Sequence, residues 1–134
     1  FIIEEFTKPA FQDVHITHQL RLIVEIVQPN KTIGYTDLFD VDFINRRAGI
    51  GIIIGDISER NKGYAADAID LLKEYAFGIL NLHQLHCHIH ETNIYSIRLF
   101  KQSGFTECGI YKEWSLRNGN FEDVIAFQLI NKII

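Results

Sequence analysis

Arg60-Asn61-Lys62-Gly63-Tyr64-Ala65 stands between a glycine-containing strand pattern and a long amphipathic helix pattern, and its residue types suit an anion. A helix start presents unpaired backbone N–H groups and the positive end of the helix dipole. Gly63 permits close backbone approach, Ala65 and Ala66 keep the first turn uncrowded, and Arg60 and Lys62 add positive charge. A pyrophosphate fits such a start; an ordinary loop leading into a helix uses the same residues. Neither G-x-x-x-x-G-K-S/T nor G-x-G-x-x-G is satisfied, because no Ser or Thr follows Lys62-Gly63 and no glycine triplet opens the helix, which speaks against ATP and NAD. Asp37, Asp40 and Asp42 form an acidic group on or near a strand, which by itself reads as a solvated face with a turn. His86, His88 and His90 alternate along one strand, with His83 close by. Alternate strand residues lie about 7 Å apart, too far for one zinc to hold neighbouring imidazoles unless the side chains converge. Solvent-facing or hydrogen-bonded histidines, and no metal, are the expectation.

Positioning these residues requires a particular set of elements. Residues 20–27 alternate, with Leu20, Leu22, Val24 and Ile26 on one face, and read as a strand. Pro29-Asn30-Lys31 breaks it, 33–43 form a second extended segment, and Asn45-Arg46-Arg47 turns the chain into a third strand over 48–54. Loops this short give an antiparallel meander. From Gly63 the period changes: Ala65, Ala68, Ile69, Leu72, Ala76, Ile79 and Leu80 make one helical stripe opposed by Asp67, Asp70, Lys73 and Glu74. Leu85, Cys87 and Ile89 alternate with the histidines in another strand, and Asn93 is an N-cap for a short helix ending near Gly104. Two extended segments, 105–116 and 121–130, close the chain around Asn118-Gly119, a strong hairpin signal. The expected fold is α/β, with a mixed, largely antiparallel sheet flanked by helices.

The 134 residues, 47% of them apolar, suffice for one domain with a real core. No apolar run is long enough for a signal peptide or a membrane span. Cys87 and Cys108 show neither CxxC spacing nor a motif-placed histidine, so reduced thiols and a cytoplasmic location are expected. A net charge of −4 leaves no basic footprint for nucleic acid and suits a cationic partner. The absence of any Met, including at position 1, predicts an N-terminally incomplete domain over 1–134.

Arg60-x-x-Gly63-x-Ala65 resembles the Q/R-x-x-G-x-G/A acetyl-CoA signature of the GNAT superfamily, at the place between strand and helix where that family carries it. Downstream, Asn93-Ile94-Tyr95-Ser96-Ile97-Arg98-Leu99-Phe100-Lys101-Gln102-Ser103-Gly104-Phe105 is similar to the second cofactor segment of the family. The stretch around Leu80-Asn81-Leu82-His83 and the closing hairpin is similar to spermidine/spermine N-acetyltransferases and ribosomal-protein alanine acetyltransferases, with the first strand and following helices of the family mostly missing. The resemblance implies acetyl-CoA as cosubstrate and a splay between strands that admits it. It implies that the backbone of Ile53, Ile54 and Gly55 pairs with the pantetheine arm, and that Arg60, Asn61, Lys62, Gly63, Tyr64 and Ala65 hold the pyrophosphate. Asn93, Ser96 and Lys101 would touch the rest of the cofactor, and Gly49 and Gly51 would ease its approach. Related enzymes often carry Glu near position 49 or 51, so the strand-borne base is missing; Asp37 or Asp40 would accept the amine proton. Phe100 stands where many members place a tyrosine that protonates the departing thiolate. It would pack beneath the cofactor, leaving Tyr111 or water as the acid. The implied reaction is direct attack of a primary amine on the thioester, a polyamine being favoured over a peptide N-terminus or an amino sugar. A catalytically weak acyl-CoA-binding module is the alternative, and a homo-oligomer stays open.

Overall fold

The computed structural model describes residues 2–5, 13–27, 30–55, 60 and 62–132. Strands β1 (Ile2–Glu5), β2 (Leu20–Ile26), β3 (Lys31–Asp42) and β4 (Arg47–Ile54) form an antiparallel meander. Helix α2 (Tyr64–Glu74) then leads to β5 (Gln84–His90), parallel to β4, and helix α3 (Ile94–Gln102) leads to β6 (Thr106–Arg117) and β7 (Asn120–Ile130). The sheet order is β1-β2-β3-β4-β5-β7-β6, so β7 lies between β5 and β6. The Asn118-Gly119 turn has φ of 50° and 78°, the two positive values that a tight hairpin needs and that this residue pair supplies at little cost. The β3–β4 turn is fixed by Asp42, whose carboxylate accepts from the N–H groups of Ile44 (2.9 Å) and Asn45 (2.8 Å) and from the Asn45 side chain (2.9 Å). Those bonds, the one to the Asn45 backbone foremost, hold the Asp42 pKa below its ordinary value. Asp42 is thus a turn residue.

Two elements have no counterpart in the sequence reading: β1, and a single helical turn α1 (Val14–Thr17) capped by the Asp13 side chain. Each has four residues, too few to display a period. The helix expected to run unbroken to Leu80 widens after Glu74 into a π turn over Tyr75–Ile79, where the Leu80 N–H reaches the Tyr75 carbonyl at 3.0 Å. The extra residue in that turn rotates Ile79 off the apolar stripe, leaving it 72% exposed while Leu80 is buried.

One apolar cluster joins the helices to the sheet. On β4 it takes Ala48, Ile50 and Ile54, on β5 Leu85, Cys87 and Ile89, on β7 Phe127, on α2 Ala65, Ala68, Ile69 and Leu72, and on α3 Leu99 and Phe100. Lys73 of α2 donates to the Ser103 carbonyl at the end of α3 (2.9 Å), so both helices cover the same face of the sheet. Alternation sends Gly49, Gly51, Ile53, His86, His88 and His90 to the opposite, open face. Among the described residues no helix is long and apolar enough to cross a membrane.

Candidate functional site

β4 and β5 pair at Arg47–Gln84, Ala48–Leu85 and Gly49–His86 only. Beyond that vertex β4 stays with β3 and β5 stays with β7, so the two parallel strands part toward their C-terminal ends. The Gly55 N–H donates to the Ile33 carbonyl across β3 at 2.8 Å. In an antiparallel ladder that direction alternates, so Ile53 also aims its main-chain groups at β3, whereas Ile50, Ile52 and Ile54 aim theirs into the splay. Of the three residues expected to pair with an extended ligand, Ile54 therefore presents its backbone to the gap, Ile53 and Gly55 do not, and Ile52 takes their place. Sequence alternation alone cannot tell which parity faces which neighbour.

At the wide end of the splay both strands run into helix N-termini. Gly63 is the N-cap of α2 with φ 84° and ψ 0°, it offers no side-chain cap, and a Cβ placed on it would meet nothing within 4 Å. The Asp67 N–H closes the first turn of α2 on the Gly63 carbonyl (3.1 Å). Tyr64 and Ala65 thus begin the helix at the positive end of its dipole, while the Ala65 methyl is buried in the core and Tyr64 packs against it. Arg60 donates from Nε to the Ile54 carbonyl (2.9 Å), which ties the loop to β4 and holds a guanidinium at the mouth. Lys62 is exposed, and Asn61 lies outside the described residues. On the β5 side, Asn93 caps α3 by accepting from the Ser96 N–H (3.2 Å). Two helix starts, a guanidinium and an exposed lysine make this end fit a diphosphate.

Lys101 lies 3.2 Å from Glu107, an ion pair that competes with the cofactor contact expected of it. Phe100 is 4% exposed and meets Phe105 edge-on at 5.1 Å. Asp37 does not carry a free carboxylate: Arg21, its cross-strand neighbour, donates to both oxygens at 2.7 and 2.9 Å while stacking over Tyr35 at 4.1 Å. Asp40 sits in the bulge that breaks the β3–β4 ladder after Phe39, has φ 48°, and makes no ion pair among the described residues. Tyr111 lies two strands away from the splay, packed on His88 (5.2 Å) and Trp114 (4.6 Å).

Gly49 has a packing role that Gly51 does not share. The Phe39 ring lies so closely over Gly49 that a Cβ there would overlap it, and its other edge is 3.9 Å from a Cβ on Gly51. Cys87 is buried and its thiol is pushed up to about 12 by that burial, with Cys108 adding a smaller effect; no thiolate nucleophile is available there near neutral pH. Among the described residues no group of three or more His, Cys, Asp or Glu is gathered as a metal site. The residue that sequence reasoning passed over is His86, read only against metal geometry, which stands at the vertex itself.

Residues 3–106 match the Acetyltransferase (GNAT) domain. Spermidine N(1)-acetyltransferase of Vibrio cholerae is 34% identical over 111 residues, which are 83% of this chain and 63% of that protein, so the chain spans less than two thirds of that relative. Spermidine N-acetyltransferase from Vibrio cholerae in complex with CoA and spermine superposes with a TM-score of 0.81 at 32% identity, covering 87% of this chain and 68% of the other. A dodecameric structure of the Vibrio cholerae enzyme gives a TM-score of 0.79 at 32% identity, covering 87% and 67%. A domain match over most of the sequence, and a fold that agrees with it strand for helix, place this chain in the GNAT acetyltransferase family.

Proposed function

We propose that this chain transfers the acetyl group of acetyl-CoA to a primary amine, with a polyamine as acceptor. The β4–β5 splay carries the reading. From Ile50 to Gly55 it offers an extended-strand edge of about 16 Å, the reach of a pantetheine arm, between a vertex and an anion-binding mouth. The reaction is direct attack of the amine, because the buried Cys87 cannot serve as a carrier. The charge of −4, Asp40, which makes no ion pair among the described residues, and the half-exposed Phe39 ring over Gly49 support a cationic acceptor. The Vibrio cholerae relative is a spermidine N(1)-acetyltransferase, and its solved complex holds CoA and spermine. A cytoplasmic location belongs to the same reading.

Calorimetry with acetyl-CoA, followed by turnover with spermidine, spermine, an alanine-terminated peptide and an aminoglycoside, tests it. Micromolar cofactor binding and polyamine turnover are expected; binding without turnover on any amine would favour the acyl-CoA-binding module. The ion pair that occupies Asp37 and the sealed ring of Phe100 speak for that second reading. Homo-oligomer formation completes the proposal, supported by the dodecameric neighbour and by the apolar side chains of Ile110, Trp114, Leu116 and Phe121 exposed on the edge hairpin. Light scattering that gives a monomer at high concentration would remove it.

A further inference from the structure

His86 is the β5 residue at which pairing with β4 ends and the splay begins. It is in register with Gly49, so its ring projects from the open face, away from the core that α2 and α3 seal. Gly49 has no side chain of its own, and the Phe39 ring lies over it, which makes an aromatic wall on the β4 side of His86. Across β7 its partner is the uncharged Gln128, and farther along β5 the His88 ring centroid is 6.4 Å away. Arg47 of β4 and Asp40 of β3 are close enough to act on it electrostatically. Among the described residues nothing is hydrogen-bonded to the His86 ring, so a ring nitrogen is left for a ligand.

We propose that His86 is the proton acceptor for the incoming amine, acting from the vertex of the splay; this rests on the acetyl-transfer reading above. A pantetheine arm lying along β4 from the α2 N-terminus ends at that vertex, which brings the thioester carbonyl beside His86. The helix face is closed by Ile50, Cys87 and Ile89, so the amine enters from the open face, past the imidazole. Burial keeps the pKa of His86 below the ordinary imidazole value of 6.5, His88 and Arg47 push in the same direction and Asp40 opposes them. The ring is therefore neutral near pH 7 and holds a lone pair.

The step balances without a further reactant. The ammonium gives one proton to His86, which becomes imidazolium. The nitrogen lone pair so exposed forms the C–N bond at the thioester carbonyl, and the C=O π pair moves onto oxygen. As that pair returns, the C–S bond breaks and the sulfur leaves with its electrons. The second nitrogen proton goes to the thiolate, the third stays on the amide, and the imidazolium releases its proton to solvent.

The test is the pH profile of kcat/KM for wild type and His86→Gln, with acetyl-CoA affinity measured by calorimetry and folding by thermal melt. The wild type should show an acid limb below pH 6.5. His86→Gln should lose that limb and about a hundredfold in the chemical step, with cofactor affinity and Tm retained. Free imidazole should restore part of the rate in His86→Ala, and Asp40→Asn should move the wild-type limb to lower pH. Wild-type rate and limb in His86→Gln would overturn the proposal, as would a fall in rate matched by an equal fall in acetyl-CoA affinity, which would make His86 a wall of the splay. If the wild type neither binds acetyl-CoA nor acetylates an amine, the parent reading fails and this one with it, a result visible without any variant.

Discussion

Gly34 faces Ile54 across the β3–β4 ladder. A methyl group on it would run into the Ile53 carbonyl oxygen, with the Ile53 carbonyl carbon and the Ile54 Cα both 2.9 Å away. All three are main-chain atoms, so no rotamer change relieves the contact. Carbon atoms rest at about 3.5–4.0 Å, so in Gly34→Ala the two carbon contacts alone make the strands part by roughly 0.6–1.1 Å, and the nearer oxygen demands more. Overpacking of this kind costs about 1–3 kcal/mol, which in a chain of this length lowers Tm by roughly 4–12 °C. The displaced segment carries the Ile52 and Ile54 groups that face the splay, so acetyl-CoA affinity should fall about tenfold, the equivalent of about 1.4 kcal/mol. Gly51→Ala is the control: a Cβ there meets only Phe39, at 3.9 Å, and stability should stay within about 0.5 kcal/mol. Thermal unfolding by circular dichroism and calorimetric titration read the two effects separately. If Gly34→Ala melts with the wild type and binds acetyl-CoA equally well, the close β3–β4 approach at Ile53 is wrong, and so is the argument that β4 is held by it.

Three further variants test other parts of the site. Gly63→Glu places a carboxylate where the phosphates would lie and should abolish acetyl-CoA binding in calorimetry, whereas Gly63→Ala carries only the strain of φ 84°, about 1–2 kcal/mol, and should keep binding. Asp40→Asn should raise the amine KM several-fold while Asp37→Asn, whose carboxylate is already held by Arg21, stays near wild type; the reverse order would reassign the acceptor contact. Phe100→Tyr should lower Tm, since an unpaired hydroxyl beside Phe105 costs about 1–3 kcal/mol, with no gain in pre-steady-state rate. A tenfold gain would instead place the far end of the ring in the splay.

Local chemistry was legible in the sequence wherever it is local in the fold. Asn118-Gly119 specifies its turn by backbone preference alone, the α2 stripe by its period, and the Arg60 to Ala65 segment by the needs of a helix start. What stayed hidden depends on partners distant in sequence. Alternation places Arg21 and Asp37 on strand faces but says nothing of the register that joins them. Glycines at 49 and 51 suggest close approach by something, and only the tertiary structure identifies Phe39 as that something at Gly49. The same holds for His86: a period of two gives its face, while its rank as the last β5 residue paired with β4 is set by where β4 and β5 part.

That parting has a cause in how each strand is satisfied. β5 is paired with β7 along its whole length, from Gln84–Ile130 to His90–Val124, and β4 with β3 from Gly49 to Ile54. Each has a full ladder on its far side, so neither needs the other beyond three residues. The hydrophobic face beneath stays continuous across the gap through Ile50, Ile54, Cys87 and Ile89 under α2 and α3, which keeps the opened strands from costing the core. In the proposed reading the backbone of β4 at Ile50 and Ile52 would be left to a ligand with alternating amide groups, and the sealed helix face would leave one direction of entry for the second substrate. Binding edge, vertex and approach route thus follow from one event, a parallel ladder that stops after Gly49 and His86, and any substitution that extends that ladder should suppress all three together.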